Sequence, residues 1–152
     1  MELKAFEYEL PVHLIFGAGK AECIGKEVKK YGKKVLIVTG RGSTKRSGLL
    51  DRVEKLLEAE GLEHLLFDEV EPNPLASTAE KGAQIARENG CEAVLGLGGG
   101  SIMDCSKSIA FAALNEGKIF DYIYGKKTGK GALPLILVPT TCGTGSEGNC
   151  FA

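Results

Sequence analysis

Two loops of small residues, each placed at the end of an apolar run, constrain most strongly what this chain can fold into. The sequence GGGS at 98–101 follows the apolar residues 93–97, and PTTCGTGSE at 139–147 follows residues 133–138. Unbroken apolar runs of this length are typical of parallel strands that are covered on both faces. In an open α/β sheet, the loops at the carboxyl ends of the strands hold nucleotides. Because both loops offer backbone N–H groups and hydroxyls, they predict a site for the phosphates of a dinucleotide.

Predicted strands and helices alternate along the chain. Apolar or β-rich runs predict strands at residues 12–16, 35–39, 62–70, 93–97 and 133–138. This alternation predicts an α/β fold with a doubly wound, mostly parallel, Rossmann-like sheet and helices on both faces. We expect residues 1–152 to form one dinucleotide-binding domain. The last helix is predicted from Ser101 through Ala113, and the earlier helices from apolar residues at helical spacing: Ala21, Ile24, Val28 and Tyr31; Leu49, Val53, Leu56 and Leu57; Ala76, Ala79, Ala83 and Ala86.

Composition excludes several classes of protein. The 19 basic and 20 acidic residues are interleaved, so the charge gives no reason to expect binding to nucleic acid. No apolar stretch is long enough to span a membrane, and the first residues lack the apolar core of a signal peptide. The five cysteines include no C-x-x-C pair, which favours free thiols over disulfides or a zinc finger. Together these features predict a cytoplasmic protein without nucleic-acid or membrane partners.

The glycine loop has two interpretations. Successive glycines are conformationally costly, by about 1 kcal/mol each relative to alanine, and they make sense where a ligand touches the backbone at Gly99 and Gly100. Ser101 and the helix N-terminus behind it would then supply donors and a positive dipole end. The alternative is a flexible turn before a capped helix, with Ser101 and Asp104 as an S-x-x-D capping box. Asp104 therefore either closes that capping box or binds a ribose hydroxyl or a substrate group.

The second loop is rich in hydroxyls. Thr140, Thr141, Thr144 and Ser146 stand among two glycines, and hydroxyls with backbone amides suit ribose and pyrophosphate oxygens. An ordinary surface turn would not need so many donors directly after a buried strand. Cys142 lies in the same loop, and we interpret it as a small side chain rather than a nucleophile, because no histidine lies near it in the sequence.

Both loops resemble the motifs of a known family. The sequence GGGSIMDCSK at 98–107 resembles the G-G-G-S-x-x-D-x-x-K signature of the iron-containing (group III) alcohol dehydrogenases, and PTTCGTGSE is close to their P-T-T-x-G-T-G-S-E. The opening from Phe6 through Pro11 to FGAG at 16–19 and the sequence EPNP at 71–74 fit as well. The resemblance covers essentially the whole chain and corresponds to the N-terminal, cofactor-binding half of the family.

The resemblance implies an NAD(P)-dependent oxidoreductase that interconverts alcohols with aldehydes or ketones, with a small alcohol or aldehyde as its substrate. By the matched motifs, pyrophosphate would lie against Gly99, Gly100 and Ser101. The nicotinamide side of the cofactor would be lined by Thr140, Thr141 and Thr144. Asn73 would border the adenosine side, and Asp104 would lie near the nicotinamide.

The family's metal site falls outside the resemblance. There, one Asp and three His of a helical C-terminal domain hold Fe or Zn, all beyond the point where these 152 residues end. We therefore expect this chain by itself to hold no metal and to turn over no alcohol, and to associate with further copies through exposed apolar surface. Two alternatives stay open: a relative of glycerol dehydrogenase or dehydroquinate synthase, and a non-catalytic nucleotide-binding or assembly module. The intact second motif favours the alcohol dehydrogenase branch over the former.

The loop after the second predicted strand bears on cofactor choice. An acidic residue there would accept hydrogen bonds from the 2′-hydroxyl of NAD and repel a 2′-phosphate. Here the loop contains Gly40, Gly42 and Ser43 with Lys45 and Arg46 behind them, and no carboxylate occurs before Asp51. Room, a hydroxyl and positive charge suit a 2′-phosphate, and the stretch resembles that of NADP-preferring butanol and aldehyde reductases of the family. We therefore expect NADP(H) over NAD(H), the alternative being an ordinary glycine-rich turn.

Overall fold

The computed structural model of this chain describes residues 11–149 and residue 152. Its sheet has four strands in the order β2-β1-β3-β4 among these residues, and every neighbouring pair is parallel. This arrangement confirms the predicted parallel, Rossmann-like sheet. The strands are β1 (Lys34–Gly40), β2 (Glu63–Val70), β3 (Ala93–Gly98) and β4 (Leu135–Pro139).

Helices connect the strands as predicted, with two additions. The short helices at Ser43–Arg46 and Ile119–Ile123 were not predicted, because four or five residues are too few to show helical periodicity. No helix in the described part of the chain combines the length and apolar character needed to cross a membrane. The helices are α1 (Ile24–Lys29), α2 (Ser43–Arg46), α3 (Leu49–Ala59), α4 (Ala76–Glu88), α5 (Gly100–Leu114) and α6 (Ile119–Ile123), with 3₁₀ turns at Lys20–Cys23 and Ser146–Gly148.

Each face of the sheet is covered by its own apolar core. Side chains alternate along β1, so Leu36 belongs to the core under α4 and α5, whereas Ile37 belongs to the core under α1 and α3. Close approach of α4 to α5 depends on Gly82, where an added Cβ would lie 2.5 Å from Cδ1 of Ile109. The central strands β1 and β3 are therefore buried on both faces, as their unbroken apolar runs predict, whereas β4 is only partly buried and the prediction of a buried strand there is wrong.

The order in which the parallel strands are added changes sides between β1 and β3. From β1 the chain passes to β2 on one side and then to β3 on the other, so the carboxyl ends of β1 and β3 lie side by side. Buried Thr39 joins them, since its hydroxyl donates to the carbonyl of Leu97 at 2.9 Å and lies 2.8 Å from the hydroxyl of Thr44. A switch point of this kind is where open α/β sheets bind their ligands.

One predicted strand is wrong. Residues 11–16 have no strand assignment, and the side chains of Leu14 and Phe16 are 70% and 90% exposed. A strand needs a neighbour to pair its N–H and C=O groups, and none of the described strands pairs with this segment. The apolar residues of this segment therefore do not reflect a position in the described sheet. The part of the opening motif before Pro11 lies outside the described residues.

Candidate functional site

The two small-residue loops face each other at the carboxyl edge of the sheet. The N–H of Thr140 donates to the carbonyl of Gly98 at 2.9 Å, which extends the β3–β4 ladder into the second loop. A Cβ added at Gly99 would lie 3.1 Å from Oγ1 of Thr141, and one added at Gly100 would lie 3.4 Å from Cβ of Thr144. The structure thus brings the backbone of the first loop against the hydroxyls of the second.

The three glycines of the first loop have different roles. An added Cβ at Gly98 would lie 2.5 Å from Cγ1 of Ile102, so this position is small because of packing within the protein. Gly99 has a φ of −83°, which any residue adopts, so its smallness reflects the closeness of the second loop. Because α5 begins at Gly100, the first N–H groups of this helix have no intrahelical acceptor and are available to an anion.

The predicted capping box is absent. Gly99 is the N-cap of α5 and the cap has no side-chain hydrogen bond, so Ser101 lies inside the first turn instead of at the cap position. The hydroxyl of Ser101 lies 3.4 Å from the backbone N–H of Asn73, which donates to it. The helix starts two residues earlier than the capping box requires, since Gly99 occupies the cap position and Gly100 is the first helical residue.

The carboxylate of Asp104, whose role the sequence left open, contacts the second loop. Its Oδ1 accepts from Oγ of Ser146 at 2.5 Å and from Nζ of Lys107 at 3.2 Å. Nζ of Lys107 also donates to Oγ of Ser146 at 2.9 Å and to Oδ1 of Asn149 at 3.0 Å. Sequence analysis missed this network, although Asp104 and Lys107 are both fixed positions of the D-x-x-K motif and their i,i+3 spacing is the signal for it.

On the other side of Ser101, the EPNP loop is held by its own glutamate. Oε1 of Glu71 accepts from the N–H of Leu75 at 3.0 Å and from the hydroxyl of Thr78 at 2.8 Å, and these two bonds lower the pKa of Glu71. Asn73 in this loop has a φ of 53°, the left-handed region that asparagine tolerates better than most residues. The loop is therefore a fixed turn that places the N–H of Asn73 at Ser101.

The loop after β1 lies at the same edge. Gly40 is next to the first turn of α5, since an added Cβ would lie 3.4 Å from Cδ1 of Ile102. Gly42 and Ser43 begin α2, where their carbonyls accept from the N–H groups of Arg46 at 2.9 Å and Ser47 at 3.1 Å. An open pocket of about 460 Å³ adjoins this loop, lined by Arg41, Glu69, Glu71, Ser77, Thr78 and Lys81.

One basic group of this loop already has a carboxylate partner. Lys45 donates to Asp68 of β2, and this bond lowers the pKa of Asp68. The charge on Lys45 is therefore partly satisfied by the protein, which the sequence could not show because Asp68 lies 23 residues away. Within the described part of the chain, neither Arg41 nor Arg46 forms an ion pair.

Cysteine thiols and groups of metal ligands are the other kinds of functional group to consider at this site. Cys142 is exposed in the second loop, whereas Cys105 is buried and its burial raises the pKa of its thiol to about 12. Residues 11–149 contain no group of three His, Cys, Asp or Glu side chains placed to hold a metal ion. The described site is thus composed of backbone N–H groups, hydroxyls and a few charges.

Comparison with known proteins agrees with this geometry. The iron-containing alcohol dehydrogenase family matches residues 11–152. NADH-dependent butanol dehydrogenase B of Clostridium acetobutylicum is 44% identical over 147 residues, which are 97% of this chain and 38% of that protein. 1,3-Propanediol dehydrogenase of Citrobacter freundii is 34% identical over 149 residues.

Solved structures show the same relationship. The crystal structure of NADH-dependent butanol dehydrogenase A from Thermotoga maritima superposes with a TM-score of 0.90 at 39% identity, over 96% of this chain and 37% of that one. Sulfoacetaldehyde reductase from Bifidobacterium kashiwanohense, solved in complex with NAD+, gives a TM-score of 0.85 at 34% identity, over 97% of this chain and 39% of that one. The chain therefore spans about two fifths of the length of these relatives.

Proposed function

Since this chain belongs to the iron-containing alcohol dehydrogenase family, we propose that it is the dinucleotide-binding part of an enzyme that interconverts alcohols with aldehydes or ketones. One observation carries the proposal. Two loops meet at the carboxyl ends of the neighbouring strands β3 and β4, beside the switch point between β1 and β3, and the positions that face the second loop, Gly99 and Gly100, have no side chains. A pyrophosphate needs such a place, where helix N–H groups are accessible and no Cβ intervenes.

The residues of the two loops fit a dinucleotide whose pyrophosphate lies at α5 and whose nicotinamide lies toward the second loop. In this proposal, the N–H groups of Gly100 and Ser101 donate to the pyrophosphate at the positive end of α5. The hydroxyl of Ser101 accepts from Asn73, which leaves its own proton available for a phosphate oxygen. Hydroxyls of the second loop, on Thr140, Thr141 and Thr144, line the nicotinamide side. The bound nicotinamide supplies hydride acceptance or donation, and these residues hold and orient it.

We propose NADP(H) as the preferred cofactor. The loop from Gly40 to Arg46 has no carboxylate to bind a 2′-hydroxyl, and Arg41 and Arg46 supply positive charge for a 2′-phosphate. Asp68 reduces the contribution of Lys45, so the preference depends on the two arginines. Several relatives are named NADH-dependent, which makes tighter binding of NADH the contrary outcome of the test.

The metal of the family has no place among the described residues of this chain. They provide no group of three ligands that could hold it, so the proposal gives them no metal-dependent step. A small alcohol or aldehyde is the substrate class that the relatives' names support for the whole enzyme. We also propose self-association, which is supported by the exposed side chains of Leu14 and Phe16.

Calorimetric titration of the chain with NADPH, NADH and ATP tests the proposal. A dinucleotide-binding domain should bind NADPH saturably at one site and bind ATP much more weakly, because the second loop contacts the nicotinamide half. Equal affinity for ATP would instead favour a general nucleotide-binding module. No saturable binding of either NADPH or NADH would contradict the proposal.

A further inference from the structure

A polar cluster lies on α5 one to two turns beyond the glycine loop. Its members are Asp104, Lys107, Ser146 and Asn149, and we call it the α5 clamp. Lys107 donates to the other three at 3.2, 2.9 and 3.0 Å, and Ser146 donates to Asp104 at 2.5 Å. The clamp thus connects one helix to residues that follow it by about 40 positions.

Lys107 and Ser146 are the most buried members of the clamp, whereas the side chain of Asp104 is 38% exposed and Asn149 is exposed. The side chain of Lys107 is 11% exposed, and Ser146 is 4% exposed. Hydrogen bonds that involve a charged partner are stronger than neutral ones, and they strengthen further in a low-dielectric environment. Removing Asp104 or Ser146 takes a charge-assisted hydrogen bond from the largely buried ammonium group of Lys107, which is costly.

From the clamp, contacts continue to the hydroxyls of the second loop. The N–H of Ser146 donates to Oγ1 of Thr144 at 3.3 Å, and Oγ1 of Thr144 donates to Glu147 at 3.4 Å. The side chain of Thr144 in turn lies beside Gly100, the first residue of α5. A closed ring of contacts therefore runs from α5 through Ser146 and Thr144 back to α5.

The second loop contacts α5 at two places, through Ser146 and through Thr144, so these contacts set the spacing between the two loops. We infer that Asp104 and Lys107 are positioning residues that hold the second loop at the distance a dinucleotide requires. They act through Ser146 and Thr144. The inference rests on the proposed function for its relevance to binding, but the order of the second loop can be measured without any cofactor.

The test uses Lys107→Met and Ser146→Ala in this chain. Arg87→Met is the matched control. Arg87 donates to the carbonyl of Ala112 at 2.7 Å, so this substitution removes a partly buried hydrogen bond at the opposite end of α5. Hydrogen–deuterium exchange is measured without cofactor, and NADPH and NADH affinities are measured by calorimetry. We expect at least tenfold faster exchange at the hydrogen-bonded N–H groups of this loop, Thr140 and Ser146, in both clamp variants. Exchange in β3 should be unchanged, and binding of the preferred cofactor should be at least tenfold weaker.

The outcomes separate the two proposals. Faster exchange at Thr140 and Ser146 but not in β3, and absent from Arg87→Met, supports the clamp whether or not the unmodified chain binds a cofactor. If that chain binds neither cofactor, the proposed function fails while the clamp is still supported. Unchanged exchange at Thr140 and Ser146, or faster exchange spread equally over β3, would overturn the positioning role.

Discussion

The backbone N–H of Asn73 donates to the hydroxyl of Ser101 across 3.4 Å, although 28 residues separate them. This bond joins the EPNP turn to the first turn of α5. It depends on the left-handed backbone of Asn73, because the φ of 53° turns the chain at that residue. The conformation of a single residue on one loop therefore sets the hydrogen bonding of a proposed phosphate ligand on another.

The left-handed backbone of Asn73 predicts that glycine is more stabilising than alanine at this position, the reverse of their order in a helix. Asn73→Ala should unfold with a free energy about 1 kcal/mol lower than Asn73→Gly, because alanine is penalised in the left-handed region and glycine is not. At Gln84, in the middle of α4, the same pair should show the opposite order by about 1 kcal/mol. Urea denaturation measures both differences, and the same order at the two sites would contradict the strained turn.

Gly99 is the most direct test of the facing loops. Gly99→Val should weaken cofactor binding by about 100-fold, roughly 2.7 kcal/mol, because its side chain would fill the space between Gly99 and Thr141. Ala132→Val, in the exposed segment before β4, adds the same branched side chain away from the loops. Circular dichroism confirms that each variant is folded. Unaltered affinity in a folded Gly99→Val protein would rule out this loop as the phosphate site.

The sequence predicted the sheet and the facing loops because both depend on local pattern. Unbroken apolar runs identify buried parallel strands, and glycines and threonines at their ends identify the binding edge. Pattern could not show that Gly98 is small for the sake of Ile102, since that packing depends on the path of the first turn of α5. The capping box failed for the same reason: the spacing from Ser101 to Asp104 does not reveal where the helix begins.

Cofactor choice should depend on two arginines. Arg41→Ala and Arg46→Ala should each weaken NADPH binding about tenfold, roughly 1.4 kcal/mol, and leave NADH binding nearly unchanged. Arg52→Ala is the matched control, because Arg52 is on α3 and pairs with Glu22. Calorimetry at two salt concentrations adds a check, since the arginine contribution should shrink at high salt. Equal losses for both cofactors would contradict recognition of a 2′-phosphate.

The thiols should differ sharply in reactivity. Cys142 is exposed, whereas burial raises the pKa of Cys91 and raises that of Cys105 to about 12. A thiol reagent at pH 8 should therefore modify Cys142 rapidly, and Cys91 and Cys105 only after unfolding. Cys142→Ser should remove one fast-reacting equivalent. Bound NADPH should slow the reaction of Cys142 by at least fivefold, and equal rates with and without NADPH would place the cofactor elsewhere.

Glu71 should contribute a pH-dependent part of the stability. Its pKa in the folded chain is lowered from 4.5 by the N–H of Leu75 and the hydroxyl of Thr78. The stabilisation is therefore present above pH 4.5 and is lost as the pH falls through the folded pKa. Glu71→Gln should lower the urea midpoint at pH 7, and the difference from the unmodified chain should shrink as the pH falls below 4.5 and through the folded pKa. Glu58→Gln, on the exposed surface of α3, should show no such convergence.

The polar contacts of the site show what sequence alone could not supply. In the sequence Lys45 has no visible carboxylate partner, but the fold pairs it with Asp68 of β2. In the same way, only the fold shows that Asp104 accepts a hydrogen bond from Ser146 of the second loop. Such pairs join residues that are 23 and 42 positions apart, and their formation depends on strand order and register. Local propensity carries no record of either. The chemistry of each loop was therefore predictable, whereas its partners were not.

Among the described residues β4 is an edge strand, so half of the site depends on a single strand pairing. A chain in which β1, β2 and β3 have paired already possesses the glycine loop, but the hydroxyls opposite it arrive only when β4 docks on β3. A ligand that needs both loops therefore recognises completed molecules and ignores those that lack the final strand. By mass action it also draws incomplete molecules forward. A dinucleotide that binds both loops would therefore stabilise the pairing of β4 with β3.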